Sequence, residues 1–542
     1  MAQPSEVVSP AKAGVQACWI PASAGMTQGE RRFMLRYARA FDILRAMSIK
    51  FGTSGWRAIF AEDFTIDNVR KLTYIIAGHI KENLEYGYFS PEYGQSAGSE
   101  RTSQPPIVVV GYDTRFMSDV FAREVAEVFA ASGIRVFLSD CEVPTPALAW
   151  AVMEHKAVGG VVITASHNPA QYNGYKWTPF WGGPATLAVT ADIERRLGIL
   201  GAHTVRSMNY DKALRDGWIV LTDFRKPYFK KLRGMLDPKK LKSAKLKVGV
   251  DPLYGAARNY LRPFLEEQGV QVTALHENRD PLFGGKSSEP SPEVLGPLIE
   301  LVRKQKLDLG LACDGDADRF GVVDAGGVWI PANDVLALAL HHLVVNRGMS
   351  GNVARSLMTS HLVDAVAKSH GLRVRETPVG FKYIGELLRG GGFLLGGEES
   401  GGLSMAGHVP EKDGPLACLL MAELVAFERK PLVKIREALY KKHGEYHNVR
   451  HNFHLENLTL AKELHDRLKL KPPTVLAGAS VWRIDETDGF KFVLKDGRWM
   501  GLRLSGTEPV VRLYAEAFDT KSMEALVEEG RRVVFSKASA RR

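Results

Sequence analysis

IVVVGYDTRFMSDVFAREVAEVFAASGIRVFL, Ile107–Leu138, decides the fold class. Its first four residues are an unbroken β-branched run, as expected of a strand covered on both faces. GYDTR, Gly111 to Arg115, reads as a turn. Residues 118–132 then take a helical period, with Val120, Phe121, Val125, Val128 and Phe129 on one broad face. Arg135 to Leu138 returns to a strand. Strand, helix and strand in this order predict parallel strands joined by crossover helices.

The pattern recurs outward from this stretch. Pro144-Thr145-Pro146 opens another helix, and strands are expected at Val161–Ile163, Val248–Val250, Leu309–Cys313 and Phe393–Gly396. The C-terminal segment differs, because WRID from Trp482, FKFVL from Phe490 and VRLYA from Val511 suggest a smaller α+β unit. A chain of 542 residues is too long for one ordinary domain. Boundaries are placed near 211, 328 and 443, and no repeat is visible at residue level.

Composition excludes several classes. With 45% hydrophobic and 24% charged residues the chain reads as globular, and no apolar run approaches the length of a membrane span. Cys18, Cys141, Cys313 and Cys418 are scattered, without disulfide or metal-ligand spacing, which favours a reducing, cytoplasmic compartment. The net charge of +10 invites a nucleic-acid reading, but basic and acidic residues are interleaved. The exception, KKLKSAKLK from Lys239 to Lys247, reads as a solvated approach to a strand. A basic cleft for phosphorylated small molecules accounts for the charge as well as a polynucleotide groove does. Residues 1–46 are basic, aperiodic and unlike a signal peptide. They resemble peptides translated from intergenic repeats, so they are read as an extension, with Met47 as the functional start.

Polar signals gather where strands end, the place where parallel sheets form ligand crevices. There is no P-loop or dinucleotide fingerprint, and GQSAG, Gly94 to Gly98, lacks the strand and helix that a nucleophile elbow needs. TASHNPAQYNGYK, Thr164 to Lys176, follows the apolar run Val161 to Ile163. Ser166 is either a nucleophile or the cap of a helix begun by Pro169. His167, Asn168 and Lys176 are candidates to orient phosphate or carry protons, and a lysine of lowered pKa does the latter.

In DGDADR, Asp314 to Arg319, carboxylates at alternating positions suit a hard cation, with an acidic surface turn as the alternative. Arg319 and Ala325 stand where an EF-hand needs glycine and glutamate, so magnesium is preferred to calcium. GGEESGGLS, Gly396 to Ser404, offers Glu398 and Ser400 to sugar hydroxyls beside glycines that permit close approach. Thr377 to Gly380 precedes it and Glu411-Lys412-Asp413-Gly414 follows. RLSGTEP, Arg503 to Pro509, centres a turn on Gly506, with hydroxyls at Ser505 and Thr507 and guanidinium forks at Arg503 and Arg512 that suit a phosphate. Each segment alone also reads as an ordinary turn. Together they make a phosphotransfer inventory.

With FGTSGWR, Phe51 to Arg57, these motifs occur in the order found in the α-D-phosphohexomutases, and from Met47 to about residue 530 the chain resembles that family. The resemblance implies an α/β fold of three related mixed α/β domains and a smaller C-terminal α+β domain around a central cleft. Residues 47–211 would be the phosphoserine domain, 212–328 the metal-binding domain, 329–443 the sugar-recognition domain and 444–542 the phosphate-binding domain. It further implies that Ser166 carries the phosphoryl group, with His167 beside it, and that Asp314, Asp316 and Asp318 hold Mg2+ with a phosphoserine oxygen. Lys176 would be the acid or base, and Arg57 and Arg319 would support the reacting group. Thr377, Gly380, Glu398 and Ser400 would read the sugar, while Lys412, Arg503, Ser505, Gly506, Thr507 and Arg512 would grip the distal phosphate.

The implied reaction interconverts hexose 1- and 6-phosphates, with a hexose 1,6-bisphosphate as intermediate and activator. The partners expected are phosphorylated hexoses, without nucleic acid, membrane or obligate protein partner. Many phosphomannomutase-like and phosphoglucosamine mutase-like members have histidine where this chain has Gly402, and His408 is a candidate to replace it. The wording Glu398-Glu399-Ser400 favours a phosphoglucomutase over a phosphoglucosamine mutase. A bacterial phosphoglucomutase acting on glucose is the preferred reading, with phosphomannomutase or dual specificity as the alternative. Sugar-phosphate phosphatase, kinase and nucleic-acid-binding module are the remaining readings.

Overall fold

A computed structural model describes residues 49–85, 104–200, 204–504 and 509–536. The expectations for residues 1–46, Met47, GQSAG, Ser505, Gly506 and Thr507 lie outside the described residues.

The first sheet contains β1 (Trp56–Ile59), β2 (Ile107–Tyr112), β3 (Arg135–Ser139), β4 (Gly159–Ile163), β5 (Tyr172–Pro179) and β6 (Ile219–Thr222), in the order β1-β5-β4-β2-β3-β6. Alternation along the buried strands sends Val109 and Val162 to one side, against Leu148, Ala151 and Val152 of the helix Thr145–Glu154. Val108, Val110, Val161 and Ile163 pack on the other side with Phe121, Val125 and Phe129 of the helix Ser118–Ala131. Both faces are therefore covered, as the unbroken β-branched run predicts.

The second sheet contains β7 (Lys247–Asp251), β8 (Gln271–Ala274), β9 (Leu309–Cys313), β10 (Phe320–Asp324) and β11 (Val328–Ile330). The third contains β12 (Asn352–Ser356), β13 (Val374–Thr377), β14 (Phe393–Glu398) and β15 (Gly402–Met405). One four-strand plan is common to all three. A first strand (β2, β7 or β12) lies parallel to the next two, and a fourth turns back antiparallel on the third. The repetition that residues do not show is therefore present in the topology. One apolar core runs through all three units, from Val109 and Leu148 past Val248 and Leu309 to Leu336 and Leu395.

The C-terminal unit is an antiparallel sheet of β16 (His447–His454), β17 (Val475–Leu476), β18 (Ala479–Asp485), β19 (Phe490–Leu494), β20 (Trp499–Leu504) and β21 (Val510–Ala517), in the order β16-β21-β20-β19-β18-β17. It has its own core, including Phe492, Met500, Leu502, Leu513 and Leu526. A small cluster of Leu357, Met358, Val493, Trp499 and Tyr514 seats it on the third unit. The architecture is three α/β/α domains and a smaller α+β domain.

Two expectations are corrected. Strand β6 pairs with β3, so the first sheet reaches past 211. Pro169 begins no helix, because the chain reverses directly into β5, which removes the capping role considered for Ser166. The basic run from Lys239 is solvated as expected, its lysines exposed on the helix Pro238–Ala244 and on the lead into β7.

Candidate active site

The shared topology brings three of the four polar segments to equivalent places. The turns β4–β5, β9–β10 and β14–β15, each joining the third strand of a unit to its fourth, carry Ser166, the aspartates and Ser400. Their backbones touch. Gly315 has no room for a side chain, since a Cβ would stand 2.7 Å from the Ser166 carbonyl oxygen, and Phe320 N–H donates to Gly401 O at 3.1 Å.

Ser166 is buried and has a left-handed φ of 50°. Its Oγ donates to Asp314 Oδ2 at 2.8 Å and lies 3.3 Å from His167 Nδ1. Burial first, then Arg319 and Arg57, hold the His167 imidazole well below its usual pKa, so the ring is neutral. Arg57 Nη1 donates to Asn168 Oδ1 at 2.8 Å, beside the same turn. Arg319 Nη1 pairs with Glu289 Oε1 at 2.8 Å.

Asp314, Asp316 and Asp318 are fully buried, with ligand oxygens all within 4.8 Å of one another. Burial, reinforced by its two neighbours, raises the Asp314 carboxyl well above the usual range. Burial works against ionisation of Asp318 too, but Lys412 and Lys176 overcome it and hold that group well below the usual range. Asp316 Oδ1 and Asp318 Oδ1 are buried without a hydrogen-bond partner. Oxygen-only donors, three close carboxylates and two orphaned oxygens fit a hard divalent cation. A divalent cation could be held by these three carboxylates, with the Ser166 hydroxyl beside them.

Lys176 projects from β5 into this cluster, with Nζ 3.1 Å from both Asp316 Oδ2 and Asp318 Oδ2. Burial lowers the pKa of its ammonium, but Asp316 and Asp318 more than reverse this, so the group stays protonated. This is the opposite of the lowered pKa considered for a proton-carrying lysine.

Glu398 is buried at the end of β14 and accepts Gly380 N–H at 2.7 Å. Burial, then Glu399, pushes its pKa up to about 7. Thr377 Oγ1 donates to Arg355 O on β12 at 3.3 Å and to Pro378 O at 3.0 Å, so its hydroxyl is used by nearby backbone. Ser400 lines a cavity of about 450 Å3 with Glu289 of the second domain and Arg450 and Tyr514 of the fourth.

Lys412 was expected beside the distal arginines. Its Nζ instead lies 2.9 Å from Asp318 Oδ2, and it shares a cavity of about 60 Å3 with Arg57, Lys176, Gly380 and Glu411. Gly402 makes this possible, since a Cβ there would stand 2.4 Å from Lys412 Cδ. The space of the family histidine is thus filled by the lysine stem. His408 does not substitute for that histidine, because its ring is buried with Nε2 2.6 Å from Asp413, which also accepts from Tyr228.

Arg503 and Arg512 are directly paired residues of β20 and β21. Arg503 Nε donates to Asp488 Oδ1 at 3.0 Å, and Asp488 Oδ2 accepts Val379 N–H at 3.0 Å, tying this corner to the sugar-reading segment. The sequence reading missed Arg115, Glu289 and Thr145, whose Oγ1 donates to Asp316 Oδ2 at 2.7 Å. A lone arginine in GYDTR and a glutamate in SSEP carry no local signal, because their partners lie far along the chain.

Comparison with known proteins agrees with this geometry. The models of phosphoglucomutase/phosphomannomutase alpha/beta/alpha domains I, II and III match residues 48–199, 226–327 and 331–443, and that of the C-terminal domain matches 452–533. A phosphoglucomutase of Komagataeibacter xylinus is 29% identical over 93% of this chain and 94% of its own. A phosphoglucomutase/phosphomannomutase of Thermococcus kodakarensis is 30% identical over 89% and 97%. The crystal structure of a candidate phosphomannomutase from Thermus thermophilus superposes with a TM-score of 0.75 at 32% identity, covering 90% of this chain and 99% of that one. The chain belongs to the phosphoglucomutase/phosphomannomutase family, the α-D-phosphohexomutases, and is an isomerase of phosphohexomutase type.

Proposed function

We propose that the enzyme interconverts glucose 1-phosphate and glucose 6-phosphate through a phosphoserine at Ser166 and a bound hexose 1,6-bisphosphate. The observation that carries the reading is a buried serine hydroxyl 2.8 Å from one of three clustered aspartates, with Lys176 on the other two. In the first transfer the bond from phosphorus to Ser166 Oγ breaks as one forms to a sugar hydroxyl oxygen. The hydroxyl proton leaves to a base and Oγ regains one. The intermediate reorients, and its other phosphoryl group returns to Ser166 by the reverse exchange.

Lys176, already protonated, suits the acid role at the reacting oxygens, while Arg57 and Arg319 oppose charge on the transferring group. Mg2+, when bound, adds Lewis-acid stabilisation of that charge. Glu398 and Ser400 accept and donate bonds to sugar hydroxyls, with Thr377 and Gly380 shaping that edge. Arg503 and Arg512, with Ser505, Gly506 and Thr507, grip the distal phosphate. Both ends of the sugar must fit the same two anion sites, which explains why one serine serves both transfers.

Glucose is preferred on the name of the Komagataeibacter relative, and the Glu398-Glu399-Ser400 wording favours a phosphoglucomutase over a phosphoglucosamine mutase. The Thermococcus relative's name keeps mannose as the second reading. Among the described residues no helix is long and apolar enough to cross a membrane, and a cytoplasmic enzyme is proposed. A coupled assay with glucose 1-phosphate, mannose 1-phosphate and glucosamine phosphate, with bisphosphate and magnesium present, tests the assignment. The highest kcat/KM for glucose 1-phosphate is expected. Equal or higher efficiency with mannose overturns the preference, and phosphate release without isomerisation overturns the mutase reading.

A further inference from the structure

We propose that Arg115 is the positioning residue that holds the phosphoryl-carrying serine in its reactive conformation. The inference rests on the reading of Ser166 given above. The Arg115 side chain is fully buried, and its donors are directed at one turn. Nη2 donates to the carbonyls of Ser166 at 2.5 Å and Asn168 at 2.6 Å. Nη1 donates to those of Pro169 at 2.9 Å and Tyr172 at 3.0 Å. Nε lies 3.2 Å from Asp113 Oδ2, and the guanidinium carbon sits 4.9 Å from the centre of the Phe283 ring, contributed by the second domain.

The need for such a clamp follows from the backbone. Ser166 has a φ of 50°, a conformation that costs free energy for any residue with a Cβ and persists only where its surroundings enforce it. No helix follows to take up the carbonyls of the turn. Thr164 Oγ1 fixes Ser166 N–H at 2.9 Å, and Arg115 fixes the carbonyl side, so the strained residue is held from both ends. A planar fork reaches four carbonyls at once, which the single ammonium of a lysine cannot do. Asp113 balances the buried charge and is itself held by Ser118 Oγ at 2.9 Å and by Arg115 N–H at 3.0 Å. Arg115 thus aims Ser166 Oγ at Asp314 by way of the backbone.

The test compares Arg115→Lys, Asp113→Asn and Ser166→Ala with the unmodified enzyme. For each, kcat and KM for glucose 1-phosphate are measured, with the rate at which glucose 1,6-bisphosphate phosphorylates the protein, and folding is followed by circular dichroism and melting. Since displacement by about 1 Å costs on the order of 100-fold in rate, Arg115→Lys is expected to lose roughly that factor in kcat and in phosphorylation rate. Its KM should stay within about threefold, because the distal clamp is untouched. Asp113→Asn, which keeps the fork but removes its countercharge, should show a smaller loss of the same kind and serves if the lysine variant does not fold. A role confined to stability would lower melting temperature without separating kcat from KM. That result, or unchanged phosphorylation in a folded Arg115→Lys or Asp113→Asn variant, overturns the inference. If Ser166→Ala still accepts phosphate, the reading of Ser166 fails and this inference with it. If Ser166→Ala is inert while the other variants match the parent, the inference alone fails.

Discussion

Glu398→Gln should stabilise the enzyme at alkaline pH while impairing its turnover. The carboxyl is 4% exposed and accepts Gly380 N–H at 2.7 Å. Burial and the neighbouring Glu399 raise its pKa from 4.5 to about 7, against the opposing pull of Lys412, the Gly380 N–H and Arg319. At about 1.4 kcal/mol per pH unit, that displacement corresponds to roughly 3 kcal/mol, without a discount for solvent screening because the group is buried. A raised carboxyl pKa means that the folded state binds the proton more tightly than the unfolded chain does. The contribution to stability is therefore complete below 4.5 and lost as pH rises through about 7. Glutamine keeps the size and the oxygen that accepts Gly380 N–H but cannot ionise.

Denaturant and thermal unfolding of both forms across this pH range, without sugar, should show a gap opening in the variant's favour as pH rises, with about 3 kcal/mol as the ceiling. Over the same window the parent's kcat/KM should rise relative to the variant's, because the ionised carboxyl accepts bonds from sugar hydroxyls. A stability gap that does not change with pH, or one favouring the parent above pH 7, would refute the reasoning.

Asp316→Asn removes a charge from the cluster, and half-maximal activity should then require at least about tenfold more magnesium, since even outer-shell changes cost that much. An unchanged magnesium titration would remove Asp316 from the metal set. Arg503→Ala should weaken the distal phosphate contact by about 1–3 kcal/mol, read as a rise in KM for both hexose phosphates. No change in either KM contradicts that placement. Lys491 is fully buried between the third and fourth domains, with Nζ donating to Leu357 O at 2.6 Å and Glu376 Oε2 at 3.0 Å and lying 4.4 Å from the Trp499 ring centre. Replacing it by alanine leaves Glu376 paired with Arg355 but without this contact, and should loosen the seat of the C-terminal domain by about 1–3 kcal/mol, detected as a separate early unfolding step. A single transition at the parent's midpoint would show that the seat does not depend on it.

The legible part of this protein is the part whose signal is local. The Ile107–Val110 strand and the helix after it announce a covered parallel sheet, and the aspartates of DGDADR identify themselves by spacing. What local pattern missed depends on distant partners. Pro169 suggested a helix because Thr164–Pro169 resembles a cap, yet the following YNGYKWTP is a buried strand whose lysine is neutralised by aspartates 140 and 142 positions away. Arg115 read only as part of a turn because the carbonyls it binds begin 51 positions downstream. Lys412 was grouped with the distal arginines by resemblance, whereas the missing side chain at Gly402 lets its stem lie across the strand and reach Asp318. Strand β6 fell beyond the expected boundary because its partner β3 lies about 80 positions back, across β4, β5 and three helices. Topology carried the repeat that the residues had lost.

The central claim is tested most directly by locating the phosphoryl group. After incubation with phosphorus-labelled glucose 1,6-bisphosphate and magnesium, mass spectrometry of the digested enzyme should place one phosphate on Ser166. Adding unlabelled glucose 6-phosphate should then move that label into sugar phosphate at a rate matching turnover. Label on another residue, or label on Ser166 that is not transferred at a catalytically competent rate, would contradict the account.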